Sequence, residues 1–185
     1  PAWTPWFLKP RYVLAAATIC NSACAPKPLH IILNSVRHDD KDGPFRFATP
    51  EEKTLELFYA LGGGAKGFSY WWYTPYGRFH GGGAQDPAAV ALWRQIGLLG
   101  AQVRTAGPLL TRSCPATLPL QAPPLLWTRT LLAGTDSLVL LAANENIAGD
   151  RQGVTVVPLT KATLRLTPPS WLKVADGFEI TPMGL

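Results

Sequence analysis

The order of apolar and polar positions in the first 113 residues predicts helices that alternate with short buried strands. Residues 11–25 are rich in alanine and other apolar residues and stop before Pro26, so we expect a helix that ends near Ala25. The nearly continuous apolar run at residues 29–36 is typical of a strand that is buried on both faces of a parallel sheet. A polar loop is expected from residue 37 to residue 48.

Residues 49–52 contain the signals that begin a helix. Thr49 is a suitable N-cap, Pro50 fits the first helical position, and Glu52 lies three residues after Thr49, where it can close a capping box. The three glycines at residues 62–64 are typical of a segment that ends a helix. We therefore predict a helix that begins at Pro50 and stops at these glycines.

An aromatic segment at residues 66–73 predicts a second strand, because aromatic residues favour strands and glycine and proline flank this run. Side chains alternate between the two faces of a strand. One predicted face carries Gly67, Ser69, Trp71 and Tyr73. The other carries Phe68, Tyr70 and Trp72.

A glycine-rich loop at residues 74–85 leads to a third predicted helix. Asp86 is a suitable N-cap and Pro87 fits the first helical position, while Gly107 and Pro108 predict the end. The apolar residues spaced for one buried stripe are Val90, Trp93, Ile96 and Val103.

This order of elements predicts an α/β fold with a parallel sheet, either a (β/α) barrel or a doubly wound sheet. The helix-to-strand connections are short and the strand-to-helix loops are longer, an asymmetry that both folds share. Two strands cannot form such a sheet alone. We therefore expect further strands upstream of Pro1 and expect the chain to be a fragment of a longer protein.

The pattern changes after Ser113, where strand signals replace helix signals. Residues 114–124 include four prolines and predict a linker, and residues 125–132 and 137–144 predict a β-hairpin. We predict that residues 125–185 form an antiparallel, β-sandwich-like module. Its further short strands are expected at residues 154–158, 163–167, 171–175 and 178–181, with a turn at Asp176 and Gly177.

Composition restricts the classes of function. Apolar residues make up 47% of the chain, which is ample for a packed core, and charged residues make up only 16%. The 17 Lys and Arg residues are scattered despite a net charge of +5, which argues against nucleic-acid binding. No apolar stretch approaches the roughly 20 residues of a membrane span.

Cys20 and Cys24 are expected to be buried free thiols, and no metal site or cofactor is expected.

Two segments resemble a known family. Residues 49–52 (TPEE) and 57–72 (LFYALGGGAKGFSYWW) are similar to the seventh helix and eighth strand of glycoside hydrolases with a (β/α)8 TIM barrel, particularly β-galactosidase-like and related uncharacterised families. In those families a small β-sandwich ends the protein. The resemblance covers most of residues 26–144 in the order of elements. It implies that residues 1–113 are the closing portion of a barrel, with strand seven at 29–36 and strand eight at 66–73.

The resemblance also implies where substrate binds. The cleft would lie at the carboxyl ends of the two strands, here residues 34–42 and 73–85. Retaining enzymes of this kind carry a nucleophilic Glu at the end of strand seven and an acid/base Glu at the end of strand four. Residues 33–36 hold no carboxylate. Either strand seven has another register, or the nucleophile lies elsewhere, or the protein is not a standard retaining hydrolase. We expect the principal carboxylates upstream.

Six residues are candidates for the site. Asp39 and Asp40 are the catalytic candidates, because a carboxylate there could act as nucleophile, base or acceptor for a sugar hydroxyl, and the alternative is a solvated surface loop. Aromatic rings stack on the apolar faces of sugars, although core packing is the competing role for an aromatic side chain. The candidates for substrate binding are Trp71, Tyr73, Asn34 and His38.

The leading hypothesis is a parent protein that hydrolyses O-glycosidic bonds, with an oligosaccharide or polysaccharide as its substrate. One alternative is a non-catalytic carbohydrate-binding or structural protein on a degenerate barrel, which the missing carboxylate favours. Another is an unrelated barrel enzyme, because this architecture supports many chemistries. A secreted or periplasmic location is our working expectation.

Overall fold

The computed structural model of the chain describes residues 8–40, 43–44, 46–71, 73–149 and 154–184. The described part of the first 110 residues contains three helices: α1 (Leu8–Cys24), α2 (Pro50–Gly62) and α3 (Pro87–Leu110). The strands among them are β1 (His30–Asn34), β2 (Arg37–Asp40), β3 (Gly43–Pro44), β4 (Gly67–Trp71) and β5 (Phe79–His80). The remaining strands are β6 (Ser113–Ala116), β7 (Leu120–Gln121), β8 (Leu126–Ala133), β9 (Ser137–Asn144), β10 (Ile147–Gly149), β11 (Val154–Val156) and β12 (Arg165–Leu166).

Strands β1 and β4 form a parallel pair, as the sequence predicts. The register runs from His30 opposite Gly67 to Asn34 opposite Trp71. Leu33 is buried on the face that packs against the helices, and the neighbouring strand contributes the partly buried Tyr70 to that face. The alternation predicted for β4 is therefore confirmed. The opposite face of this two-stranded sheet is exposed, so β1 is buried on one face and not, as predicted, on both.

Helix α2 begins with the predicted capping box. Thr49 Oγ1 accepts from the Glu52 N–H at 3.3 Å, and Glu52 Oε2 accepts from the Thr49 N–H at 2.8 Å. The structure adds a third partner, because Arg46 donates to both carboxylate oxygens of Glu52 at 2.6 and 2.7 Å. Glu52 is buried, so this fork of two charge-assisted hydrogen bonds keeps its charge compensated.

The segment predicted as a polar loop after β1 contains strands. β2 pairs with β3 and, in the same small antiparallel sheet, with β5. The expectation of loop throughout residues 37–48 is therefore wrong for β2 and β3, and the loop predicted at residues 74–85 contains the strand β5. The sheet joins the segment that follows β1 to the segment that follows β4. The β2–β3 pairing is local, whereas the β2–β5 pairing joins segments about 40 residues apart and leaves no local periodicity to detect.

The buried stripe of α3 differs from the predicted one. Ile96 is buried as expected, but Val90 is 59% exposed and Trp93 is 42% exposed. The residues that α3 buries are Ala89, Leu92, Ile96, Leu99, Ala106 and Leu110. The helix also passes its predicted end and continues to Leu110, with Pro108 inside its last turn, where the missing N–H removes one hydrogen bond of the helix.

The strands after α3 are antiparallel, which confirms that part of the prediction. β8 and β9 form the predicted hairpin, and β6 pairs with the other side of β8. Two smaller sheets pair β10 with β11 and β12 with β7. Residues 114–124, expected to be a linker, thus contribute to two sheets. No strand is assigned at residues 171–175 or 178–181.

One apolar core joins both halves of the chain. Its buried residues come from β1, α2, α3 and the β8–β9 hairpin, so the helices lie between the parallel pair and the antiparallel sheet. They are Leu33, Leu57, Leu61, Leu99, Ala106, Leu110, Leu131 and Leu141. The change of pattern after Ser113 therefore marks the start of a second sheet on the same helix layer.

Polar contacts join the antiparallel β6–β8–β9 sheet and its flanking residues to the helices. Tyr59 of α2 donates its hydroxyl to Glu145, which follows β9, and Arg11 of α1 pairs with the other oxygen of Glu145 at 2.9 Å. Burial raises the pKa of Tyr59, and the hydrogen bond to Glu145 adds to the shift. Lys66 donates to the Leu110 carbonyl at 2.9 Å, and burial lowers the pKa of Lys66.

The cysteines are free, as predicted, but they are not all buried. Cys20 and Cys114 are exposed and Cys24 is partly buried. The prediction of a buried thiol is wrong for Cys20, because α1 buries a different side, where Ala17 is fully covered.

We expect removal of the Thr49 cap to destabilise the fold. The Thr49→Ala variant loses the hydroxyl that accepts from the Glu52 N–H and should lower the free energy of unfolding by about 1 kcal/mol in urea denaturation. Thr49→Ser keeps the hydroxyl and is the matched control. Equal stability of the alanine and serine variants would contradict the role of the cap.

We also expect opposite effects from one substitution at two helical glycines. A Cβ at Gly62 would lie 2.7 Å from Trp127 Cη2, so Gly62→Ala should destabilise by about 1–3 kcal/mol through overpacking. A Cβ at Gly97 meets nothing within 4 Å, so Gly97→Ala should stabilise by about 0.5–1 kcal/mol because alanine favours helix.

Unfolding in urea measures both glycine variants. Adding Trp127→Phe to Gly62→Ala should recover part of the lost stability, since the smaller ring leaves room for the new methyl group. A stabilising Gly62→Ala would show that α2 and β8 do not pack as closely as described.

Candidate functional site

The exposed face of the β1–β4 pair leads to an aromatic edge at its carboxyl end. Trp71, the last residue of β4, is 52% exposed and lies opposite Asn34, the last residue of β1. Ile32, one step earlier on the same face, is 59% exposed. Two of the predicted sugar-binding residues, Asn34 and Trp71, are therefore brought together as cross-strand partners.

A buried serine holds the backbone of Trp71. Ser35 is only 2% exposed, and both its N–H and its hydroxyl donate to the Trp71 carbonyl, at 3.1 and 2.6 Å. Two donors on one carbonyl fix the end of β4 relative to the end of β1. The indole of Trp71 thus extends from a rigid backbone position.

Asn34 has a local structural role. Its side-chain oxygen accepts from the Val36 N–H at 3.1 Å, and its side-chain nitrogen donates to the Val36 carbonyl at 3.4 Å. This is the turn-forming geometry that Asn commonly adopts. The side chain of Asn34 therefore shapes the end of β1.

Tyr73 lies against α3. Its ring centroid is 5.0 Å from that of Trp93, with 54° between the ring planes, and Tyr73 is 56% exposed. The glycine loop that follows packs on both rings: a Cβ at Gly82 would lie 2.8 Å from Trp93, and one at Gly83 would lie 3.1 Å from Tyr73. Gly83 also donates its N–H to the Tyr73 carbonyl at 2.8 Å.

The remaining candidates lie on β2. The backbones of His38, Asp39 and Asp40 pair with Phe79, Pro44 and Gly43, respectively. Their side chains lie outside the described residues, so their role in the site stays a prediction. Trp72, predicted for the helix-facing side of β4, also lies outside the described part.

Three carboxylates around this end of the sheet are held in ion pairs. Arg46 pairs with Glu52, Lys53 with Glu56, and Arg37 with Asp86 at 3.0 Å. Asp86 has a second role, because its other oxygen accepts from the Ala88 N–H at 2.8 Å and caps α3. These carboxylates are engaged in holding α2 and α3 in place.

A buried lysine supports the site from the helix side. Lys53 is 0% exposed, and its ammonium donates to Glu56 and to the carbonyl of Asn34. The same ammonium lies 6.0 Å from the centroid of the Tyr70 ring. Lys53 therefore ties the start of α2 to the end of β1, directly behind the exposed edge.

The hydroxyl of Tyr70 is buried without a hydrogen-bond partner among the described residues. Burial raises the pKa of Tyr70 to about 12, and the charge of Glu56 adds to the shift. A buried hydroxyl with no hydrogen-bond partner lowers the stability of the fold, and its burial disfavours ionisation of the phenol.

The described part of the chain holds no cluster of three or more His, Cys, Asp or Glu residues that could bind a metal ion. None of the described helices is long and apolar enough to cross a membrane.

Sequence reasoning missed Ser35, Trp93 and the Arg37–Asp86 pair. In the sequence, Ser35 follows an apolar run and resembles the end of a strand, and the apolar spacing predicts Trp93 in the buried stripe of α3. For the Arg37–Asp86 ion pair, the sequence indicates only one half: Asp86 is recognisable as the N-cap of α3. The partner that links it to β2 depends on the tertiary fold.

Comparisons with protein-family models, with curated proteins and with solved structures found no match to this chain.

We expect the two buried tyrosines to respond differently to loss of the hydroxyl. Tyr70→Phe should leave the free energy of unfolding unchanged or slightly higher, because the hydroxyl has no described partner. Tyr59→Phe is the matched control and should destabilise by about 1–2 kcal/mol, because it removes the hydrogen bond to Glu145.

The pH dependence gives a second measurement on Tyr70. Its pKa rises from the ordinary value of 10.0 to about 12 on folding, so the folded state retains a proton that the unfolded state releases. This contribution to stability is complete below pH 10 and is lost as the pH rises towards 12. Tyr70→Phe should reduce the alkaline loss of stability, and an unchanged alkaline profile would contradict the burial of Tyr70.

Proposed function

We propose that the chain is the sugar-binding, closing part of a (β/α)-barrel glycoside hydrolase that acts on O-glycosidic bonds. The principal carboxylates would be supplied by polypeptide outside these 185 residues. The observation that carries the proposal is the half-exposed Trp71, held on a rigid backbone opposite Asn34 at the carboxyl end of two parallel strands. Active sites of parallel α/β folds lie at that end of the sheet.

The free edge of β1 supports the expectation of additional strands. Within the described residues, β1 pairs only with β4. The backbone groups of Leu29 and Ser35 bond towards β4, so those of His30 and Ile32 point to the other side. A groove of about 530 Å³ runs there between α1 and β1. A neighbouring parallel strand would fill this groove and pair with these groups.

Trp71 suits sugar binding better than core packing. An indole that leaves half its surface exposed at the end of a sheet can stack on the apolar face of a pyranose ring, while neighbouring polar groups bond to hydroxyls. Asn34, which is exposed, is the polar residue directly opposite it, while the buried Ser35 acts only by holding the Trp71 backbone. His38, Asp39 and Asp40 follow β1 at the same end and remain proposed contacts for sugar hydroxyls, with the two aspartates also proposed as catalytic candidates.

A non-catalytic carbohydrate-binding protein is the second candidate. The observation that favours it is that Glu52, Glu56 and Asp86 are each held by a cation. Glycoside hydrolysis needs a pair of carboxyl groups about 5–10 Å apart across the scissile bond. Hydrolysis of a bound glycan by the intact parent protein would separate the hydrolase from the binding protein.

Substitution of Trp71 tests the sugar-binding proposal. The chain should bind members of a panel of immobilised glycans, and Trp71→Ala should weaken that binding by about tenfold or more through loss of the stacked ring. Trp171→Ala is the matched control, because Trp171 is exposed to a similar extent, 56%, in the other half of the chain.

Isothermal titration with a glycan selected from the panel gives the affinities of both variants. Trp171→Ala should bind like the unaltered chain. Absence of binding to every glycan, or equal weakening by the two substitutions, would contradict a sugar site at Trp71.

A further inference from the structure

We infer that Tyr73 and Trp93 form a second sugar platform next to Trp71, which gives the site a preference for oligosaccharides over monosaccharides. The inference rests on the proposed function and extends the same site. It starts from a discrepancy: the sequence predicts Trp93 in the buried stripe of α3, but the structure leaves it 42% exposed and in contact with the exposed ring of Tyr73.

The two rings are held in place before any ligand binds. Their centroids are 5.0 Å apart, and the glycine loop at residues 81–83 covers them from one side. Gly81 and Gly82 are buried, and a side chain at Gly82 would collide with the Trp93 ring. A rigid pair of aromatic rings loses little conformational entropy on binding, which favours recognition of a ligand.

The second platform is within reach of the first. Tyr73 follows Trp71 by two residues, so their Cα atoms are at most about 7 Å apart. Trp71 ends β4, and Tyr73 continues the chain from the exposed edge to α3. One ligand with several linked rings can therefore contact Trp71 and the Tyr73–Trp93 pair together, whereas a single ring can cover only one of them.

A groove with polar side chains lies along α3, the helix that carries Trp93. Its volume of about 610 Å³ is within the range of small-molecule binding sites. Its walls include Gln85, two residues after Gly83, and Arg94, which follows Trp93 directly. Gln95 also lines the groove and donates to Thr54 Oγ1 at 3.0 Å. Neither Tyr73 nor Trp93 is among the described residues that line this groove, because neighbouring residues of a helix do not face the same side, so the second platform consists of the two rings and the groove is a separate polar surface of α3.

The experiment compares one monosaccharide with an oligosaccharide of the same sugar, chosen from the glycans that the unaltered chain binds. Trp93→Ala should weaken binding of the oligosaccharide by about threefold to tenfold, the effect of losing one aromatic contact, and should leave the monosaccharide affinity unchanged. Trp71→Ala should weaken both. Arg104→Ala is the control on the same helix, since Arg104 is exposed and lies outside the groove-lining residues, and it should leave both affinities unchanged.

A second variant at Trp93 distinguishes loss of the ring contact with sugar from a folding defect. Trp93→Phe keeps a ring on Tyr73 and should retain most of the oligosaccharide affinity, and urea unfolding should give similar stabilities for both Trp93 variants. Equal oligosaccharide affinity of Trp93→Ala and the unaltered chain overturns the second platform, while loss of binding in Trp71→Ala would still support the first. Absence of glycan binding by the unaltered chain overturns both.

Discussion

Helix α2 is the element on which the parallel β1–β4 pair and the antiparallel β6–β8–β9 sheet both depend, because its buried side chains pack in the core that these two sheets share. Leu57 and Leu61 belong to the core shared with β1 and the β8–β9 hairpin. Tyr59 packs edge-on against Trp127 of β8, with 4.7 Å between the ring centroids. Gly62 ends the helix where a larger residue would meet the same indole. A helix buried in this way contributes to the stability of both halves, so the two sheets should unfold together.

The cost of burying charges on α2 explains the geometry of the candidate site. Glu52, Lys53 and Glu56 lie in the first two turns and are buried, and a buried charge without a partner is strongly destabilising. The partner of Lys53 beyond the helix is the carbonyl of Asn34, so pairing this charge also fixes the end of β1. Ser35, the next residue, donates its hydroxyl to the carbonyl of Trp71 and so fixes that carbonyl relative to the end of β1. The backbone position of Trp71 is therefore tied, through Ser35 and Asn34, to the buried charges of α2.

The sequence predicted features that are encoded locally. The capping box of α2 lies within four residues, and the β8–β9 hairpin is joined by a short turn, so both were found. The stripe of α3 was misplaced because apolar residues occur on most of its sides, and the spacing of Val90, Trp93 and Ile96 competes with that of Ala89, Leu92 and Ile96. Strand β2 and the role of Ser35 depend on partners about 40 residues away. The barrel and the sugar site remain predictions.

The ion pairs also limit what this chain can contribute to a reaction. A carboxylate that acts as nucleophile or acid must be free to approach substrate, and its pKa must suit its role. Asp86 cannot leave Arg37 without also uncapping α3, and Glu56 cannot leave Lys53 without stranding a buried ammonium. Both changes would weaken the elements that position Trp71. Under the proposed function, these carboxylates therefore build the binding surface, and the aromatic edge contributes affinity for sugar more than it contributes chemistry.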